Sequence, residues 1–115
     1  MCGIFGIAKK KNAQTEYELK QLERVLTKLT ALSVVRGEHS TGLAFISNGK
    51  NPMIFKSLKK SSNLVKHRDW DTIIEELTPE TSVVLGHTRW KTHGKITLEN
   101  AHPFHIGSVI GTHNG

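Results

Sequence analysis

The second residue of the chain is its only cysteine. Removal of Met1, which a small second residue favours, leaves a thiol and a free α-amino group together on Cys2. A free α-amine titrates at about 7.7–8.0 and a free thiol at about 8.5. Near neutrality part of the amine is therefore unprotonated and can take the thiol proton, directly or through a water. Nucleophile and base are then both supplied by a chain terminus, the logic of N-terminal nucleophile enzymes. Taken alone, a cysteine at position 2 reads first as a small buried hydrophobe. Residues 86–94, GHTRWKTHG, hold a second candidate set. The Arg89 guanidinium can pair bidentately with an α-carboxylate. Trp90, Thr92 and His93 can shape a polar pocket for a small amino acid. The plainer alternative is a loop packed by Trp90 with a solvated Arg89. At Asn114-Gly115, a side-chain amide beside a glycine N–H can form an oxyanion hole, because both donors can point at one developing charge. In isolation that dipeptide reads as a turn. The seven histidines show no HExxH and no Cys/His zinc spacing, so no metal site is expected. No cofactor is expected either.

A chain of 115 residues suits one domain with one modest core. Its 16 basic and 10 acidic side chains give a net charge of +6, a size that serves solubility. The basic residues are scattered, with short runs at Lys9, Lys10, Lys11 and at Lys59, Lys60, and no aromatic-interleaved patch accompanies them. No nucleic-acid partner is expected. A single cysteine excludes an intrachain disulfide and fits a reducing compartment. No stretch reaches the ~18 apolar residues of a membrane span, and the lysines follow the first apolar run instead of preceding it, unlike a secretory signal. The expectation is a cytoplasmic protein away from membranes.

These candidates need elements to position them. Residues 2–8, CGIFGIA, read as a short buried strand. Thr15 and Glu18 form a capping box that opens a helix. Leu19, Leu22, Val25, Leu26, Leu29 and Leu32 then recur as one apolar stripe, with Gly37 as the stop signal. Residues 42–47 and 52–57 read as a hairpin around Asn48-Gly49. Trp70, Ile73, Ile74 and Leu77 share the face of a shorter helix that Pro79 helps to end. Residues 81–85 form a strand, 86–103 a loop, and 108–112 a last short strand. The order argues a mixed α+β fold with much antiparallel pairing.

Five stretches occur together and in order: MCGIFGI, RGEHSTG over 36–42, GHTRWKTHG, NAHPF and GTHNG. As a set they resemble the class II (N-terminal nucleophile) glutamine amidotransferases, over residues 2–115. Within that group they are nearest to the glutaminase domain of the glutamine–fructose-6-phosphate aminotransferases. The resemblance implies a four-layer α/β/β/α sandwich of antiparallel sheets. It implies attack by the Cys2 thiolate on the glutamine side-chain amide, giving a γ-glutamyl thioester and ammonia for an acceptor, with a sugar phosphate the first candidate. Carried over by motif, Cys2 is the nucleophile and Asn114 and Gly115 are the oxyanion donors. Arg89, Trp90, Thr92 and His93 bind glutamine. Arg36 lies near the nucleophile, and His102 is the NAHP histidine without a direct catalytic role. Lys91 replaces a small residue of the family's RWATHG, and Glu38-His39 replaces Tyr-Asp of RGYDSAG. The family domain also runs on beyond HNG, to an aspartate for the substrate α-amine. The expected fold is thus incomplete at its C-terminus, with a completing segment and an acceptor (synthase) domain or chain as partners. The alternative is a truncated, inactive remnant, or half of a split domain acting only as a binding module.

Overall fold

The computed structural model describes residues 1–10 and 15–114. Strands β1 (Gly3–Ala8), β2 (Ser40–Ser47), β3 (Met53–Ser57) and β4 (Thr81–Arg89) form one sheet in the order β1-β4-β2-β3, with every pairing antiparallel. Strands β5 (Phe104–Ile106) and β6 (Val109–Gly111) form a separate hairpin. The helices are α1 (Glu16–Leu32), which runs into a 3-10 turn at Ser33–Val35, the single turn α2 (Ser61–Leu64), and α3 (Arg68–Ile74). The class is mixed α+β with antiparallel sheets, as the element pattern predicts.

Helix α1 starts where its cap demands. The Glu18 N–H donates to the Thr15 hydroxyl at 3.2 Å. The Glu18 carboxylate accepts from that same hydroxyl. The helix stops at Leu32, short of Gly37, because the Ser33 hydroxyl donates to the Leu29 carbonyl at 2.7 Å and the chain tightens into the 3-10 turn. The apolar stripe is narrower than the leucine spacing suggests. Leu26 is fully buried and Leu19, Leu22 and Leu29 pack beside it, whereas Val25 and Leu32 stand out in solvent. Those two lie seven residues apart, on one flank of the helix, beyond the stripe.

One face of the sheet meets the helices. Phe5, Leu43, Phe45 and Val84 interlock there with Leu26, Leu64, Trp70, Ile73 and Leu77. The indole N–H of Trp70 donates to the half-buried Thr27 hydroxyl at 3.0 Å. The shorter helix ends at Ile74, yet Leu77 still reaches the core from the turn that follows. The Asn48-Gly49 hairpin forms as expected, with Gly49 at φ +73°.

Two expectations need correction. β1 is an edge strand whose residues alternate buried and exposed, so it is covered on one face only. Strand β4 runs to Arg89, through residues read as loop. Its far end looks polar in sequence, but it is the central strand, hydrogen-bonded to β1 on one side and β2 on the other. Gly86 belongs there because the Phe5 ring occupies the space of a Cβ. Among the described residues no helix is long and apolar enough to cross a membrane. Leu26→Ala is expected to lower the unfolding free energy by about 2–5 kcal/mol. Urea denaturation would show it as a lower midpoint at an unchanged slope.

Candidate active site

Pairing of β1 with β4 sets Gly3 opposite Thr88. Cys2 therefore lies where the chain leaves β4, beside Trp90. It is 6% exposed. Its Sγ accepts the Trp90 N–H at 3.3 Å and lies 3.6 Å from the Trp90 carbonyl, which a thiol proton can reach. Its backbone nitrogen donates to Asn114 Oδ1 at 3.0 Å. Residues 112 sequence positions apart are thus joined at one point. The amide oxygen of Asn114 faces Cys2, and its NH2 group is the donor end of the side chain.

A cleft of about 300 Å³ opens beside the sulfur. Arg89, Trp90, Thr92 and His93 all line it, so four residues singled out in sequence meet Cys2 at one cavity. Gly115 lies outside the described residues. Arg89 ends β4 and is 7% exposed. Its guanidinium donates to the Lys95 carbonyl at 2.7 Å and to the His93 carbonyl. The arginine thus folds the loop over itself, and its remaining N–H groups are what a ligand can use. Asn100 Nδ2 donates to the same Lys95 carbonyl at 3.0 Å. Arg36 is exposed, but its side-chain stem packs near Gly3, next to the nucleophile.

His102 and His113 also line the cleft, and His87 lies behind them. The rings of His87 and His102 stack with centroids 4.1 Å apart, and His113 leans on His102 at 4.7 Å. His87 faces the site from β4, and Phe104 tilts against His102 at 4.3 Å. Burial pushes His87 down to about 4, helped by the positive field of Arg89 and by His113, against a hydrogen bond to the His113 backbone. Burial likewise pushes His102 down to about 4, with His87, His113, Arg89 and Lys56 acting the same way. Burial also lowers Lys56, whose ammonium lies 5.0 Å from the Phe104 ring centre.

No family model matches the chain. Individual relatives do. The glutamine–fructose-6-phosphate aminotransferase [isomerizing] of Wigglesworthia glossinidia brevipalpis is 35% identical over 115 residues, all of this chain and 17% of the relative. That of Sulfolobus acidocaldarius is 35% identical over 120 residues, covering 18% of the relative. That of Buchnera aphidicola is 32% identical over 117 residues, covering 16%. The chain is a homologue of the N-terminal part of these aminotransferases. It spans about one-sixth of their length.

Against the aminotransferase pattern, the two departures noted in sequence touch each other. The Lys91 N–H donates to His39 Nδ1 at 2.8 Å, the His39 N–H donates to the Arg89 carbonyl at 2.9 Å, and the His39 and Trp90 rings lie 5.0 Å apart. A neutral imidazole thus accepts the Lys91 N–H, while the Lys91 side chain stays in solvent. His39 is a site residue that sequence reasoning saw only as a deviation, and His87 one whose imidazole it counted in a loop pocket and the structure places on a strand. Strand alternation along 81–89 was the signal for His87; nothing local signalled His39.

Stability should fall with acid. Both depressed histidines bind protons more readily unfolded than folded, so their contribution is intact above about pH 6.5 and declines towards pH 4. The cost is roughly 1.4 kcal/mol per pH unit per ring at most. Thermal melts across that window check the sign: Tm is expected to drop, and to drop less in His102→Asn.

Proposed function

We propose that residues 2–115 form a glutamine amidotransferase domain that releases ammonia from glutamine at Cys2. The observation that carries this reading is the hydrogen bond between the Cys2 nitrogen and the Asn114 amide, at a cysteine that lines the cleft with Arg89, Trp90, Thr92 and His93. With Met1 removed, the Cys2 nitrogen becomes a primary amine. It can donate one N–H to Asn114 Oδ1 and keep its lone pair for the thiol proton. The thiolate attacks the glutamine Cδ, and the carbonyl π electrons move onto oxygen. The Asn114 NH2 group and the Gly115 N–H stabilise that oxyanion. The ammonium proton passes to the leaving nitrogen, the C–N bond breaks, and ammonia departs from a γ-glutamyl thioester. Water hydrolyses the thioester to glutamate and returns the thiol. Free N–H groups of Arg89 receive the substrate α-carboxylate, and Trp90, Thr92 and His93 wall the site.

In this reading the outward face of the four-stranded sheet, where Ile4 is 49% and Val83 37% exposed, is the inner face of a four-layer sandwich. The β5–β6 hairpin is a start on its second sheet, which a completing segment extends. The ammonia acceptor is a sugar phosphate held by a synthase domain or chain, as the names of the relatives suggest, and the setting is the cytoplasm. The isolated chain as an inactive binding module is the competing reading.

Intact mass is the first test: loss of Met1 is expected, and its retention would sink the mechanism. The second is labelling by a glutamine-mimicking diazoketone, with and without a completing segment. Cys2 is expected to be modified. Cys2→Ser should abolish labelling, and Asn114→Ala should slow it about 100-fold. No labelling under either condition favours the binding module.

A further inference from the structure

Asn114 hangs on residues 112–114, which follow β6 and belong to no helix or strand. An oxyanion donor gains its effect by being held in place before charge develops, so something must hold this segment. The His113 carbonyl accepts from His87 Nε2 at 3.2 Å. The His113 N–H donates to His102 Nδ1 at 3.3 Å, and the Thr112 hydroxyl lies 3.1 Å from the same nitrogen. We propose that His87 and His102 are positioning residues, a stacked pair that grips both polar groups of the His113 main chain and so sets Asn114 against Cys2. The claim rests on the glutaminase reading for what Asn114 does, and on geometry alone for how it is held.

The bonding fixes the protons. A carbonyl only accepts, so His87 carries its proton on Nε2. A backbone N–H only donates, so His102 Nδ1 is bare and its proton sits on Nε2. One donor and one acceptor are needed, and two neutral imidazoles provide them. The pair is 1% and 8% exposed, with ring planes 19° apart, which keeps water from competing. The charged or titratable groups facing it are Arg89 on β4, Lys56 on β3 and His113 itself; with burial they keep both rings neutral near pH 7. Gly42 completes the arrangement. The His102 carbonyl occupies the space where a side chain at position 42 would begin.

The test uses the 115-residue chain freed of Met1. His102→Leu and His87→Leu remove the grip at similar bulk. His102→Asn places an oxygen near the Nδ1 position, and His87→Gln a donor near Nε2. Inactivation by the diazoketone is followed to saturation. The leucine variants are expected to lose about tenfold or more in maximal rate, with half-saturation unchanged within about twofold. The amide variants should recover to within about threefold of the parent. Iodoacetamide, which needs no oxyanion donor, should alkylate Cys2 equally in all. Parent-like maximal rates in the leucine variants would overturn the proposal, as would parallel losses with iodoacetamide. Backbone amide exchange gives a separate reading. The His113 N–H of the parent should exchange about tenfold or more slowly than an unstructured amide, and lose that protection in His102→Leu. Unprotected exchange in the parent overturns the grip whatever Cys2 does. A parent that exchanges slowly but is labelled neither alone nor with a completing segment overturns the glutaminase reading and leaves the grip standing.

Discussion

The whole site depends on the register of β4 between its two neighbours. Gly3 lies opposite Thr88 and Ser40 opposite Arg89. That register turns Val84, Gly86 and Thr88 towards the helices and His87 and Arg89 to the opposite face, where Arg89 lines the cleft and His87 meets the His113 carbonyl. A slip of one residue would exchange the two sets, driving an imidazole and a guanidinium into the apolar core. The penalty for burying an unpaired charge makes that slip prohibitive. The core side of the pairing is filled by Phe5 over Gly86 and by Val84 against its neighbours, so the same packing that stabilises the sheet aims the functional side chains.

Buried polar side chains on both faces of the sheet reach into other segments, although the buried Ser40 and Ser61 hydroxyls find no partner. Thr88 donates to the Ser33 carbonyl at 2.8 Å, tying the sheet to the end of α1. Arg89 holds the His93 and Lys95 carbonyls, His39 holds Lys91, and the stacked histidines hold His113. Loops with no ladder of their own are thereby organised by side chains from the sheet and its approach. Buried polar groups that are fully paired specify one arrangement, because every alternative leaves a donor or acceptor without water or partner.

The departures from the aminotransferase pattern illustrate the same rule. A lysine at 91 is tolerated because only its main chain is used inside the site. Its side chain points to solvent. An imidazole at 39 works because the position needs an acceptor for one N–H and a flat surface for Trp90, and a neutral histidine offers both.

Much of this protein was legible in the order of its residues. The cap at Thr15, the leucine stripe, the Asn48-Gly49 turn and the ordered motifs around Cys2, Arg89 and Asn114 are local signals. Local signals survive without knowledge of the fold, because a cap, a turn or an amphipathic period is decided by residues a few positions apart. Tertiary structure decided what lies between distant segments. It made residues 86–89 a central strand, although their polar types suggested a loop, since backbone pairing on both sides outweighs side-chain polarity. It placed Val25 and Leu32 outside the core and gave Arg89 a second duty on its own loop. It brought His39 to Lys91 across 52 positions and Cys2 to Asn114 across 112. Sequence supplied the nucleophile and its candidate partners; only the register of a central strand could decide that they face one another.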